Sequence, residues 1–155
     1  MKTIQYEIDI EAPIEKVSEY YTDPNNIKEA WPQDIVKESK PTTDSKNEKG
    51  SEIEVKGEYM EQEDEMRLKV TEKEQNKRLV TRQTEGPFKV WESIQEFQNG
   101  SGSNKTHVKH IINYELPTSG KIANIFTRNQ AEGKLKQGIE QAANTVKQKL
   151  ESQTR

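Results

Sequence analysis

The sequence predicts an α+β domain in which a curved antiparallel sheet of about six to seven strands wraps around a long C-terminal helix, with two short helices after the first strand. Three observations support this prediction. The first ten residues alternate between apolar and polar side chains, several segments between residues 35 and 116 do the same, and after residue 121 the apolar positions recur in steps of three and four. A period of two is typical of strands and a period near 3.6 of helices.

Composition limits the classes of function. The 155 residues include 24 basic and 27 acidic side chains, 29% hydrophobic residues and no cysteine. The balanced charge offers no basic surface to nucleic acid, and the lack of cysteine excludes disulfides and thiolate chemistry. No segment is apolar over the length of a bilayer, and the N-terminus lacks the apolar stretch of a signal peptide. We therefore expect a single domain over residues 1–155, cytoplasmic, without integral membrane association and without a nucleic-acid partner.

The N-terminal third predicts one strand and two short helices. The strand places four apolar side chains on one face, namely Ile4, Tyr6, Ile8 and Ile10. Residues 12–21 follow with a proline in the first helical turn, and Ile14, Val17 and Tyr21 share one helical face. A second short helix over residues 26–30 ends before Pro32, because the residue before a proline avoids helical angles.

The middle of the chain predicts an antiparallel meander. After a polar loop at residues 40–50, strands alternate inward and outward side chains, and the turn at residues 99–102 closes a hairpin. Alternation assigns twelve residues to the concave face, where they would either line a ligand site or simply fill a core: Tyr59, Met66, Leu68, Leu79, Thr81, Gln83, Trp91, Ser93, Phe97, His110, Ile112 and Tyr114.

The C-terminal segment predicts one amphipathic helix that lies on the sheet. A helix of about 30 residues is roughly 45 Å long, which is enough to cross a small domain. Ile122 and Phe126, near its start, would close the concave face. Gly133 and Gly138 each cost about 1 kcal/mol relative to alanine inside a helix, so they indicate close packing, a bend or a tolerated weakness of the helix.

A series of short segments, taken in chain order, carries a family resemblance. These segments are Glu11–Val17, Asp23–Ile27, Gln83 with Gly86–Phe88 and Trp91–Glu92, Thr106–Pro117 and Ile125–Arg128. The series resembles the START-like, or SRPBCC, superfamily, including its polyketide cyclase/dehydrase-like members. The resemblance implies a helix-grip fold of the birch-pollen-allergen type, with a cavity for a hydrophobic small molecule between sheet and helix.

The polar residues of the concave face determine which chemistry the site supports. The family pattern has an acidic residue at the position of Thr81, a histidine at that of Ser93 and an aspartate at that of His110, so this chain departs from it at three positions. His107 and His110 lie three apart on one strand and should face opposite sides, which disfavours a shared metal. We expect no metal site, no cofactor and no dedicated catalytic residue.

Three functions are compatible with these residues. The leading hypothesis is a binding or transport protein for a lipid, an isoprenoid or an aromatic polyketide. The second is a cyclase or dehydratase that uses His110, Tyr114 and Gln83 as its polar groups. The third is a protein-interaction domain like those of the chaperone-associated and ribosome-associated branches that the superfamily resembles, for which an exposed apolar patch would be required.

Overall fold

The computed structural model describes residues 1–33, 35–43, 48–59, 62–102, 104–117 and 128–153, without the side chains of residues 59, 62–63 and 128–131. A short 3₁₀ turn, Pro24–Asn26, links the first two helices. In chain order the elements are β1 (Lys2–Ile10), α1 (Ile14–Thr22), α2 (Ile27–Ala30), β2 (Val36–Pro41), β3 (Glu52–Tyr59), β4 (Gln62–Glu74), β5 (Arg78–Glu85), β6 (Val90–Asn99), β7 (Thr106–Glu115) and α3 (Arg128–Gln153).

The seven strands form one antiparallel sheet in the order β1-β7-β6-β5-β4-β3-β2. Strands β2 to β7 follow one another as a meander, and β1 pairs with β7. This arrangement confirms the predicted α+β fold, with its curved sheet, two short helices after β1 and long C-terminal helix. Among the described residues, no helix has both the length and the apolar composition that crossing a bilayer requires.

The predicted alternation is clearest in β7. Every second residue from Thr106 to Tyr114 is buried, and the residues between them are only partly covered. Alternation is less strict in the centre of the sheet, where Val80 and Ile94 are buried on the outer face. These two residues are directly paired across β5 and β6, so each covers the other.

The segment between α2 and β2 packs unusually close to the sheet. A Cβ atom at Gly57 of β3 would lie 1.8 Å from the carbonyl oxygen of Ile35, far inside contact distance. The same oxygen accepts a hydrogen bond from the backbone N–H of Glu58 at 3.0 Å. Glycine at position 57 therefore allows the chain to cross β3 in direct backbone contact.

Two buried hydroxyl groups attach the helical segment to the sheet. Ser39 of β2 donates to the carbonyl oxygen of Pro24 at 2.7 Å and accepts from the backbone N–H of Lys28 at 3.1 Å. Thr106 of β7 donates to the carbonyl oxygen of Ala12 at 2.7 Å. Each bond satisfies polar groups that burial would otherwise leave unpaired, so these contacts fix where α1 and α2 begin.

Helix α3 packs its apolar face on the domain as the sequence predicts. The side chain of Lys147 donates to the carbonyl oxygen of Asp9 at 2.7 Å, and Glu151 accepts from the backbone N–H of Glu11 at 3.0 Å. These contacts hold the last turns of α3 against the end of β1. The predicted first turns, near residue 121, lie outside the described residues. The buried hydrophobic residues of α3 are Leu135, Ile139, Ala142, Ala143, Val146 and Leu150.

The predicted polar loop at residues 40–50 needs a correction at its start. Lys40 and Pro41 belong to β2, where they pair with Glu54 and Ile53 of β3. Pairing with β3 extends the strand because β2 lies at the edge of the sheet, where a proline is tolerated. Residues 44–47 lie outside the described part of the chain.

Substitution of the two glycines of α3 by alanine should change the free energy of unfolding in different ways. Gly133 has open space where a Cβ would be added, whereas a Cβ at Gly138 would lie 2.8 Å from the Trp31 ring and 3.1 Å from Ile35. We expect Gly133→Ala to raise the free energy of unfolding by about 0.5 to 1 kcal/mol, through helix propensity. Overpacking should leave Gly138→Ala about 1 to 3 kcal/mol less stable than Gly133→Ala.

Urea unfolding of both variants beside the unaltered protein tests this difference. Since the two substitutions are identical and lie in the same helix, their difference isolates the contact with Trp31 and Ile35. Equal stability of the two variants would contradict the close approach at Gly138.

Candidate functional site

A largely apolar cavity lies between the inner face of the sheet, the α1–α2 segment and α3. Its volume is about 130 Å³, many times the roughly 10–15 Å³ that one water molecule needs by the same measure. Eight of the residues predicted for the concave face line it: Met66, Leu68, Leu79, Thr81, Trp91, Ser93, His110 and Ile112.

Three other predicted residues lie outside the cavity lining. The Gln83 side chain donates to the carbonyl oxygen of Phe88 at 2.7 Å and accepts from the Phe88 backbone N–H at 3.3 Å. Tyr114 is buried with its ring 6.3 Å from that of Phe88. Phe97 packs in a second apolar cluster, where the centroid of its ring lies 5.6 Å from that of Tyr21. The side chain of Tyr59, together with Ile122 and Phe126, lies outside the described residues.

Several lining residues were not among the predicted set. On β6, Gln95 has the same strand parity as Trp91 and Ser93, so alternation alone could have found it. The helices and the chain between them contribute Tyr21, Ile27, Trp31, Ile35, Leu135, Ile139, Ala142 and Val146. Their signal in the sequence is the apolar face of each helix, which does not show what that face covers. Strands β3 and β4 add Ile53, Val55 and Val70.

Tyr21 and His110 form a hydrogen-bonded pair in the wall of the cavity. The Tyr21 hydroxyl lies 2.9 Å from Nε2 of His110, and the two rings meet edge to face with centroids 5.1 Å apart. His110 is only 4% exposed. Burial lowers the pKa of His110 to about 4, and burial also raises the pKa of Tyr21. Both side chains are therefore neutral at pH 7.

A strip of neutral polar side chains extends from this pair across the sheet. Gln95 is the cross-strand partner of His110, and Ser93 is the cross-strand partner of Thr81. Within β6, the Gln95 amide donates to the Ser93 hydroxyl at 2.9 Å. The strip thus crosses three neighbouring strands, β5, β6 and β7, and ends at Tyr21 of α1.

The cavity contains little charge. Among the described residues that line it there is no lysine or arginine, and Asp23 is the one acidic residue. The Asp23 carboxylate accepts hydrogen bonds from the backbone and side-chain N–H groups of Asn25 at 3.0 and 3.2 Å. Over the described part of the chain, no group of three or more histidine or acidic residues is arranged to hold a metal ion.

The charged side chains lie on the other face of the sheet. Arg82 forms an ion pair with Glu92 at 2.8 Å. His107 lies 2.9 Å from Glu7 and 2.8 Å from Asp9. The hydrogen bonds to Glu7 and Asp9 raise the pKa of His107. His107 and His110 therefore face opposite sides of the sheet, as their spacing predicts.

Comparison with known proteins agrees with this architecture. A family model described as Activator of Hsp90 ATPase homolog 1-like protein matches residues 11–151. A solved structure of a Thermus thermophilus protein superposes with a TM-score of 0.81 at 16% identity, covering 99% of this chain and 100% of that one. The Zhui aromatase/cyclase from Streptomyces sp. R1128 superposes with a TM-score of 0.78 at 13% identity, covering 99% of this chain and 96% of that one. A START superfamily protein from Mycobacterium smegmatis superposes with a TM-score of 0.72 at 15% identity, covering 97% of each chain.

No curated protein sequence matches this chain. The structural matches confirm the predicted START/SRPBCC-like, helix-grip fold.

The two histidines predict opposite dependences of stability on pH. The pKa of His110 is about 4 in the folded protein, against about 6.5 in an unfolded chain. Its contribution is therefore fully present above pH 6.5 and is lost as the pH falls towards 4. We expect a loss of about 3 kcal/mol between pH 7 and pH 4 from this residue. Because the folded pKa of His107 is raised, its contribution is present below pH 6.5 and is lost as the pH rises through that folded pKa.

Urea unfolding at pH 4 and pH 7 measures the change in the free energy of unfolding of the whole protein. The variants His110→Gln and His107→Gln separate the contributions of the two histidines from those of the carboxylates. His110→Gln should reduce the loss of stability at low pH, and His107→Gln should not. NMR titration of the two imidazole rings should place their midpoints on opposite sides of 6.5. A midpoint near 6.5 for His110 would contradict its burial as a neutral group.

Proposed function

We propose that this chain, which belongs to the Activator of Hsp90 ATPase homolog 1-like protein family, binds a hydrophobic small molecule in the cavity between the sheet and α3. The single observation that carries the proposal is the cavity itself, whose lining is mostly aliphatic and aromatic. Protein interiors are normally close-packed, and ligand pockets are lined mainly by hydrophobic and aromatic side chains, as this cavity is. A lipid, an isoprenoid or an aromatic polyketide has the required chemistry.

The polar groups of the cavity favour binding over acid or base catalysis. A cyclase or dehydratase would use three residues. Of these, the Gln83 side chain is already hydrogen-bonded to the backbone of Phe88, and Tyr114 is not part of the cavity lining. The third, His110, has a pKa of about 4, well below the value near 7 that suits a general base at neutral pH. Its hydrogen-bond partner is a phenol and not a carboxylate that would orient it.

The outer face of the sheet gives no support to a protein-interaction role. Several of its charged residues form ion pairs, such as Arg82 with Glu92. Within the described part of the chain, Met1 is the one large hydrophobic residue that is exposed. A large protein interface normally requires an exposed apolar patch. Accordingly, we propose a small-molecule carrier or sensor located in the cytoplasm and without a nucleic-acid partner.

Co-purification tests the proposal without assuming a ligand. We expect native mass spectrometry of the gently purified protein to show a bound apolar species that organic extraction releases. As a defined probe, N-phenyl-1-naphthylamine should bind in equilibrium dialysis with one site per chain. Failure to co-purify any apolar species, together with failure to bind the probe, would overturn the proposal.

Two neighbouring residues of β7 provide a matched pair of variants. Ile112 lines the cavity, whereas Ile111 lies on the opposite face of the same strand. We expect Ile112→Phe to fill part of the cavity and weaken binding of N-phenyl-1-naphthylamine at least about tenfold, equivalent to about 1.4 kcal/mol. Ile111→Phe should leave binding unchanged. Equal effects of the two substitutions would place the probe outside the cavity.

A further inference from the structure

We infer that the ligand of this cavity is a neutral molecule with a hydroxyl or carbonyl oxygen on an apolar body, and that Tyr21 and His110 together recognise that oxygen. The inference rests on the proposed function and goes beyond it by specifying the polar group of the ligand and the residues that select it. It follows from the hydrogen-bonding capacity of the pair and from the distribution of charge around the cavity.

The pair keeps one donor that their mutual bond does not use, whichever tautomer His110 adopts. A neutral imidazole and a neutral phenol carry one N–H and one O–H between them. The bond between the Tyr21 hydroxyl and Nε2 of His110 uses one of these two hydrogens. If the hydroxyl donates, the imidazole keeps an N–H at Nδ1, and if Nε2 donates, the hydroxyl keeps its own hydrogen. An acceptor lone pair also remains in both cases.

One donor beside one acceptor complements a hydroxyl group, and the donor alone complements a carbonyl oxygen. No other hydrogen bond of the His110 imidazole is present among the described residues, and both Tyr21 and His110 line the cavity. Leaving such a polar group without a partner in an apolar site is unfavourable. A ligand oxygen at this point satisfies the pair.

The charge of the surroundings selects for a neutral ligand. The described lining residues include no lysine or arginine that could neutralise a carboxylate or phosphate. The one acidic residue, Asp23, accepts two hydrogen bonds from Asn25. An ionised head group beside His110 would therefore be buried without an opposite charge, which is strongly unfavourable.

The polar strip extends this selection along the sheet. Gln95, Ser93 and Thr81 continue from His110 over two further strands, a lateral distance of about 10 Å at the usual strand spacing. All three side chains are neutral donors and acceptors. A ligand with a second hydroxyl or carbonyl group along its body would contact both ends of the strip.

Three probes of the same shape test the inference on the unaltered protein: 2-naphthol, naphthalene and 2-naphthoate, compared at pH 7 by equilibrium dialysis. We expect 2-naphthol to bind about three- to tenfold more tightly than naphthalene, as one added hydrogen bond predicts. We expect 2-naphthoate to bind at least about tenfold more weakly than 2-naphthol, because its charge is unpaired.

Variants assign the selectivity to the pair. Either residue alone still presents a donor and an acceptor, so the informative variant is the double substitution Tyr21→Phe with His110→Leu. It should keep naphthalene binding and lose the preference for 2-naphthol. Tyr6→Phe is the control, because it removes a tyrosine hydroxyl that does not line the cavity and should leave the preference intact.

The outcomes separate this inference from the proposed function. Equal binding of naphthalene and 2-naphthol by the unaltered protein, or binding of 2-naphthoate as tight as that of 2-naphthol, would overturn the inference while leaving a cavity that binds apolar molecules. A folded double variant with unchanged selectivity would overturn the role of Tyr21 and His110. Binding of none of the three probes, nor of N-phenyl-1-naphthylamine, would overturn both proposals.

Discussion

The cavity depends on one packing constraint, which is the position of the segment that connects α2 to β2. Ile35 of this segment approaches β3 so closely that position 57 has room only for glycine, and Ile35 and Trp31 together approach α3 so closely that position 138 has no room for a Cβ. The segment is therefore held between sheet and helix, and its two apolar side chains form part of the wall between them. Ile35 therefore lies between β3 and α3 at that point, and the cavity lies beside it. Glycine at positions 57 and 138 thus permits the close packing that forms this part of the wall.

The two faces of the sheet illustrate how one set of alternating strands creates two electrostatic environments. On the outer face, ion pairs such as Arg82 with Glu92 are in contact with water, where each adds little to stability. On the inner face, the described polar side chains are neutral, and several are hydrogen-bonded to one another, as in Tyr21 with His110 and Gln95 with Ser93. Buried groups of this kind cost little when bonded and much when left unpaired. The heavily charged composition of the chain is therefore compatible with an apolar interior.

Local periodicity accounts for the parts of this structure that the sequence predicts well. Strand alternation identified the inward faces of β4 to β7, and helical spacing identified the buried face of α3, because both patterns depend only on neighbours in the chain. Alternation could not tell a cavity residue from a core residue. Gln83 has the correct parity but bonds to the nearby backbone of Phe88, and Phe97 packs against Tyr21 in a second apolar cluster outside the cavity lining. Tyr21 and Trp31 were not assigned to the site because their positions depend on how the helices dock on distant strands, which no local pattern specifies.

The distribution of aromatic residues has a practical consequence. The chain has two tryptophans, and both Trp31 and Trp91 line the cavity. They approach it from different sides, one from the connection after α2 and the other from β6. Since indole emission responds to the polarity of its surroundings, every tryptophan signal of this protein originates at the wall of the proposed site. Tryptophan fluorescence of the unlabelled protein should therefore report whether its cavity is occupied.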